Sequence, residues 1–126
     1  MFVTIANFFK RLFGAGESAE AKVKRLAYAS GILVAANNPA YVALATVGLK
    51  EIETAISDGG SKEAVNSLFK RAMGHILKIT EKPAEKAAIA ALFSEMSFSP
   101  DTEITPSIEI PIIKSAVTGF LEGMTL

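Results

Sequence analysis

From Ala27 to Leu49 the chain runs without one charged side chain, AYASGILVAANNPAYVALATVGL. A bilayer span needs about 20 apolar residues, so this stretch must either cross hydrocarbon or be covered by the rest of the protein. Asn37-Asn38-Pro39 sits near its middle. There, two side-chain amides and a residue with no backbone N–H would lie deep in lipid with nothing to bond. The run is therefore read as two shorter buried helices joined by a tight turn, with a re-entrant hairpin as its membrane version.

Helical periodicity governs most of the remaining chain. On a 3.6-residue wheel Phe2, Ile5, Ala6, Phe8, Phe9, Leu12 and Phe13 form one arc, opposite Thr4, Asn7, Lys10 and Arg11. This predicts an amphipathic helix over residues 2–13, ended by Gly14 and Gly16, where glycine tolerates positive φ. Ser18 is placed to cap a second helix reaching about Ala36, with Glu20 in its first turn. Pro39 suits the first position of a third helix, whose stripe is Val42, Ala45, Leu49, Ile52 and Ile56.

Asp58-Gly59-Gly60 stops that helix, and Ser61 caps a fourth, to about Thr80, with Val65, Leu68, Phe69, Ala72, Ile76 and Ile79 inward. Pro83 opens a fifth helix to about Met96, with Ile89, Leu92, Phe93 and Met96 inward. Its alanines at 84, 87, 88, 90 and 91 suggest close helix packing. Residues 97–110 carry two prolines and β-branched residues, so an irregular loop is expected, with Ile108 and Ile110 in a short strand-like piece. Pro111 begins a last helix with Ile113, Val117, Phe120 and Leu121 on its apolar side.

The expectation is an all-α fold, a compact bundle of about six short helices in one domain of 126 residues. Within it, residues 1–16 are an N-terminal arm and hinge, 17–96 the helical core, and 97–126 the loop and C-terminal helix.

Little in the sequence points to chemistry. Cysteine is absent, which removes thiol nucleophiles and thiolate metal sites, and His75 is the one histidine. There is no GxSxG, GxGxxG or Walker loop, so no catalytic, cofactor-binding or metal-ligating residue is assigned and an enzyme is not expected. Arg71, His75, Lys78 and Lys82 recur at steps of four, three and four, a stripe suited to an anion or an acidic partner if the fourth helix extends that far. Thirteen basic residues balance thirteen acidic ones, an argument against bulk nucleic-acid binding. The balance is uneven: residues 1–25 are basic, and those from Glu95 onward are acidic.

Half the residues are hydrophobic, so apolar surface is left for something to cover. The function expected is non-catalytic protein–protein interaction or assembly. Self-association would run through Phe2, Ile5, Phe8, Phe9, Leu12 and Phe13, with the hairpin of residues 27–49 as a neighbouring contact surface. A homo-oligomer or a protein partner is expected. The alternatives are a peripheral membrane protein anchored by residues 2–13 and a helical carrier holding a small ligand among Phe and Ile side chains. Lys10 and Arg11 follow the first apolar residues instead of preceding an apolar core, so no signal peptide is apparent and a cytoplasmic or membrane-peripheral location is expected.

Overall fold

Ser18 and Ser61 cap the helices they precede. Their hydroxyls accept from the backbone N–H groups of Ala21 (3.2 Å) and Ala64 (3.1 Å), satisfying donors that a helix start otherwise leaves open. A computed structural model describes residues 18–99 and 107–125, in which the chain forms α1 (Ala19–Asn37), a 3₁₀ turn (Pro39–Tyr41), α2 (Val42–Ser57), α3 (Lys62–Ile79), α4 (Pro83–Met96) and α5 (Ile110–Met124). The fold is all-α, with five helices among the described residues. The expected helix over 2–13, its glycine hinge, and residues 100–106 of the expected loop lie outside the described residues.

The uncharged run is two helices, as the Asn-Asn-Pro break predicts, and the chain turns by 110° between Ala19–Asn37 and Pro39–Ser57. Among the described residues no single helix is long and apolar enough to cross a membrane. α1 buries Val23, Ala27, Ser30, Gly31 and Val34. Its main partner is α5, with α4 on a second side, while α2 packs on α3 and α5.

The α1–α5 contact is close enough to bring backbone against backbone. A Cβ added to Gly31 would lie 2.5 Å from the carbonyl oxygen of Phe120, and one on Gly119 or Gly123 would overlap the carbonyl oxygen of Lys24 or Tyr28. Only glycine fits at these three points. The alanines of α4, expected to provide such an approach, do something else: Ala84, Ala87, Ala90 and Ala91 are exposed. They support the helix by propensity and leave the packing to Ile89, Leu92, Phe93 and Met96, all buried.

After α4, Ser97 adopts the left-handed conformation (φ 54°). Phe98 then turns inward, edge-on to Phe69 and Phe93 with ring centroids 5.3 and 4.9 Å away. Where the chain returns, Ile108 pairs with a side chain instead of a strand, and Ile110, expected in the same strand-like piece, is already the first residue of α5. Asn66 Nδ2 donates to the Ile108 carbonyl and Asn66 Oδ1 accepts from the Ile108 N–H, both at 2.9 Å. Beside it Lys62 and Glu109 form an ion pair of 2.6 Å. These contacts fasten the start of α5 to the first turns of α3.

Candidate functional site

Nearly every large apolar side chain of the described residues is covered. The exposed exceptions are Tyr41 (48%), Leu44 (68%) and Val47 (62%), all in one short stretch at the start of α2. Isolated exposed hydrophobics are ordinary, whereas a contiguous group on one face marks a surface that something else covers.

These residues border a groove because of how α2 and α3 are joined. Asp58 to Ser61 form a tight connection in which Gly59 takes φ +76° and the Gly60 N–H donates to Ala55 O at 2.8 Å. The two helices therefore run antiparallel, with Tyr41 at the Ile79 end of α3 and Glu51 at the Leu68 end. They meet across small residues, where a Cβ on Gly48 would stand 4.0 Å from that of Ala72. Ala45, Gly48, Ala72 and the buried Ile76 form the floor, and Leu44, Val47, Leu68 and Ile79 the walls.

The groove has a volume of about 400 Å³, within the range of ligand-sized sites. It opens to the surface. From Leu68 to Ile79 its α3 wall extends about 16 Å at 1.5 Å per residue, roughly three helical turns.

Its charged edge is the basic stripe read from the sequence. Arg71, His75 and Lys78 are exposed and line the groove, and none is ion-paired to a described residue. Lys82 does not join them. α3 ends at Ile79, the chain turns extended at Thr80, and Lys82 becomes the N-cap of α4 (φ −76°, ψ 139°), outside the groove. Helical spacing predicts that fourth position only for a helix one turn longer. Glu51 is the acid in the lining. Phe2, Ile5, Phe8, Phe9, Leu12 and Phe13 lie outside the described residues.

Leu44 and Val47 lie within the hairpin of residues 27–49 expected as a contact surface, but spacing does not single them out. Both fall off the Val42–Ile56 stripe, so α2 carries large apolar groups on a second face.

A second polar feature sits at the α1–α2 corner. Glu85, in the first turn of α4, is 1% exposed. Its Oε2 accepts from Asn38 Nδ2 at 3.0 Å, and its Oε1 has no hydrogen-bond partner among the described residues. The bond ties the Asn-Asn-Pro turn to α4. Among the described residues no group of three or more His, Cys, Asp or Glu comes together as a metal site would require. Comparison with protein-family models, curated proteins and solved structures found no match.

Proposed function

We propose that the protein is a non-catalytic protein–protein interaction or assembly module whose docking surface is the groove between α2 and α3. The observation that carries this reading is the gathering of Tyr41, Leu44 and Val47 along one apolar groove edged by Arg71, His75 and Lys78. A groove of this shape takes the apolar face of an amphipathic helix, whose side chains fill it at three- and four-residue steps.

Magnitudes fix what kind of binding this is. Fully covering a Val or Leu side chain yields about 1.5–3 kcal/mol. Leu44 and Val47 are each about two-thirds exposed and Tyr41 about half, so covering the three side chains yields roughly 3–5 kcal/mol. Association costs about 4–15 kcal/mol in lost freedom of motion. Apolar cover alone therefore gives at most weak binding, and the charged edge must contribute both affinity and choice of partner.

Self-association through the Phe face of residues 2–13 is the form of assembly the sequence suggests. Light scattering behind size exclusion tests both surfaces on the full chain. Phe8→Glu/Phe9→Glu is expected to reduce the mass of any self-associated species. Leu44→Glu/Val47→Glu is expected to abolish capture of a helical partner while leaving the circular dichroism unchanged. A wild-type chain that stays monomeric at all concentrations would rule out the self-associating form.

A further inference from the structure

We infer that the groove takes an acidic amphipathic helix of a different protein, its apolar face over Leu44 and Val47 and its carboxylates along Arg71, His75 and Lys78. This rests on the groove being the docking surface, and it adds the chemistry of the occupant.

Three candidate occupants are separated by charge and shape. The N-terminal segment of another copy offers Phe residues but no acidic residue before Glu17, and it brings Lys10 and Arg11. Seated here it would leave Arg71 and Lys78 with only Glu51 to offset them and add two more charges of the same sign. A second copy meeting this same face across a two-fold axis would bring Arg71, His75 and Lys78 of both copies into one interface, with one Glu51 from each to offset them. A lipid surface is flat. Against it Leu44 and Val47 could insert, but the floor at Gly48, Ala72 and Ile76 would stay unfilled.

An acidic helix meets each condition. Arg71 and Lys78 stand seven residues apart on α3 with the His75 ring between them, so carboxylates at that spacing on a helix lying alongside face them in register. Apolar residues at i, i+3 or i+4, and i+7 then fall over Leu44, Gly48 and the Ala72–Ile76 floor. Glu51, the acid of the lining, disfavours a carboxylate at the Leu68 end and so places the occupant's acidic residues toward Lys78.

The test uses the full chain and two synthetic helical peptides of about 14 residues, roughly four turns. Both place Leu at i, i+3/i+4 and i+7; one carries Glu along the flank that faces α3, the other Lys. Fluorescence anisotropy should show saturable binding of the Glu peptide and binding of the Lys peptide weaker by about tenfold or more. The preference should shrink between about 0.1 M and 1 M salt, as the Debye length falls from about 10 to 3 Å.

Gly48→Leu fills the groove from a position where a Cβ meets only Ala72, so it should abolish binding with helicity and melting temperature retained. Arg71→Glu/Lys78→Glu should reverse the preference. Equal binding of both peptides, lost in Gly48→Leu, would overturn the acidic partner and leave the groove reading standing. Binding untouched by Gly48→Leu would overturn the groove reading itself. Absence of saturable Glu-peptide binding overturns the inference, as does flotation with phosphatidylserine vesicles, lost in Leu44→Glu, by a chain that ignores both peptides.

Discussion

Asn38 donates a 3.0 Å hydrogen bond from Nδ2 to Oε2 of Glu85, joining the corner between α1 and α2 to the first turn of α4. Glu85 is 1% exposed, so this bond is the described partner of a carboxylate with almost no access to water. Asn38→Ala should lower the unfolding free energy by about 1–3 kcal/mol, the cost of leaving a buried acceptor unpaired. Glu85→Gln keeps an acceptor for Asn38 and removes the charge, so its effect should stay within about 1 kcal/mol. Urea unfolding measures both, and an unchanged Asn38→Ala midpoint would show that the bond contributes nothing.

Glycine positions divide into two groups with opposite expected signs. Gly31→Ala, Gly119→Ala and Gly123→Ala each drive a methyl into backbone of the facing helix and should cost about 1–3 kcal/mol or more. Gly74, inside α3, has nothing within 4 Å of an added Cβ. Gly74→Ala should therefore stabilise by roughly 0.5–1 kcal/mol through helix propensity alone. Thermal melts of the four variants check the signs together.

Asn66 acts as a substitute strand for Ile108. Asn66→Ala removes both 2.9 Å bonds and should cost about 1–3 kcal/mol. Hydrogen exchange gives a local reading: the Ile108 amide should lose protection while amides in the middle of α1 keep theirs. Asn66→Asp retains an acceptor for the Ile108 N–H but sets a carboxylate oxygen against the Ile108 carbonyl, so it should rescue only part of the loss.

Along α2, residues a few positions apart should respond very differently. Leu44 is 68% exposed and Val47 62%, so Leu44→Glu and Val47→Glu should each shift stability by no more than about 0.5 kcal/mol. Leu49 is fully buried, and Leu49→Ala should cost about 2–5 kcal/mol. A large loss in Leu44→Glu would mean that the face is already covered within the chain.

Periodicity and local chemistry made most of the fold legible. Ser18, Ser61 and Pro83 announce helix starts because caps and proline act within a turn of where they stand. The stripes on α4 and α5 follow directly from apolar spacing. What spacing cannot express is what lies opposite. Nothing in the spacing marks Gly119 and Gly123 as packing positions until Lys24 and Tyr28 are seen against them, and the alanines of α4 look like packing residues until they face solvent. Met73 is fully buried although it lies off the assigned stripe. The site was half legible. Arg71, His75 and Lys78 stood out by spacing, whereas the apolar wall opposite them depends on the antiparallel pairing of α2 with α3.

The glycine contact between α1 and α5 also sets an order in time. α1 is among the first described segments to be synthesised, and its principal partner, Ile110–Met124, is the last. A nascent chain thus holds Val23, Ala27 and Val34 without their eventual cover until translation has passed Gly119 and Gly123. A chain stopped within α5 should therefore leave that face of α1 uncovered and open to association with other chains.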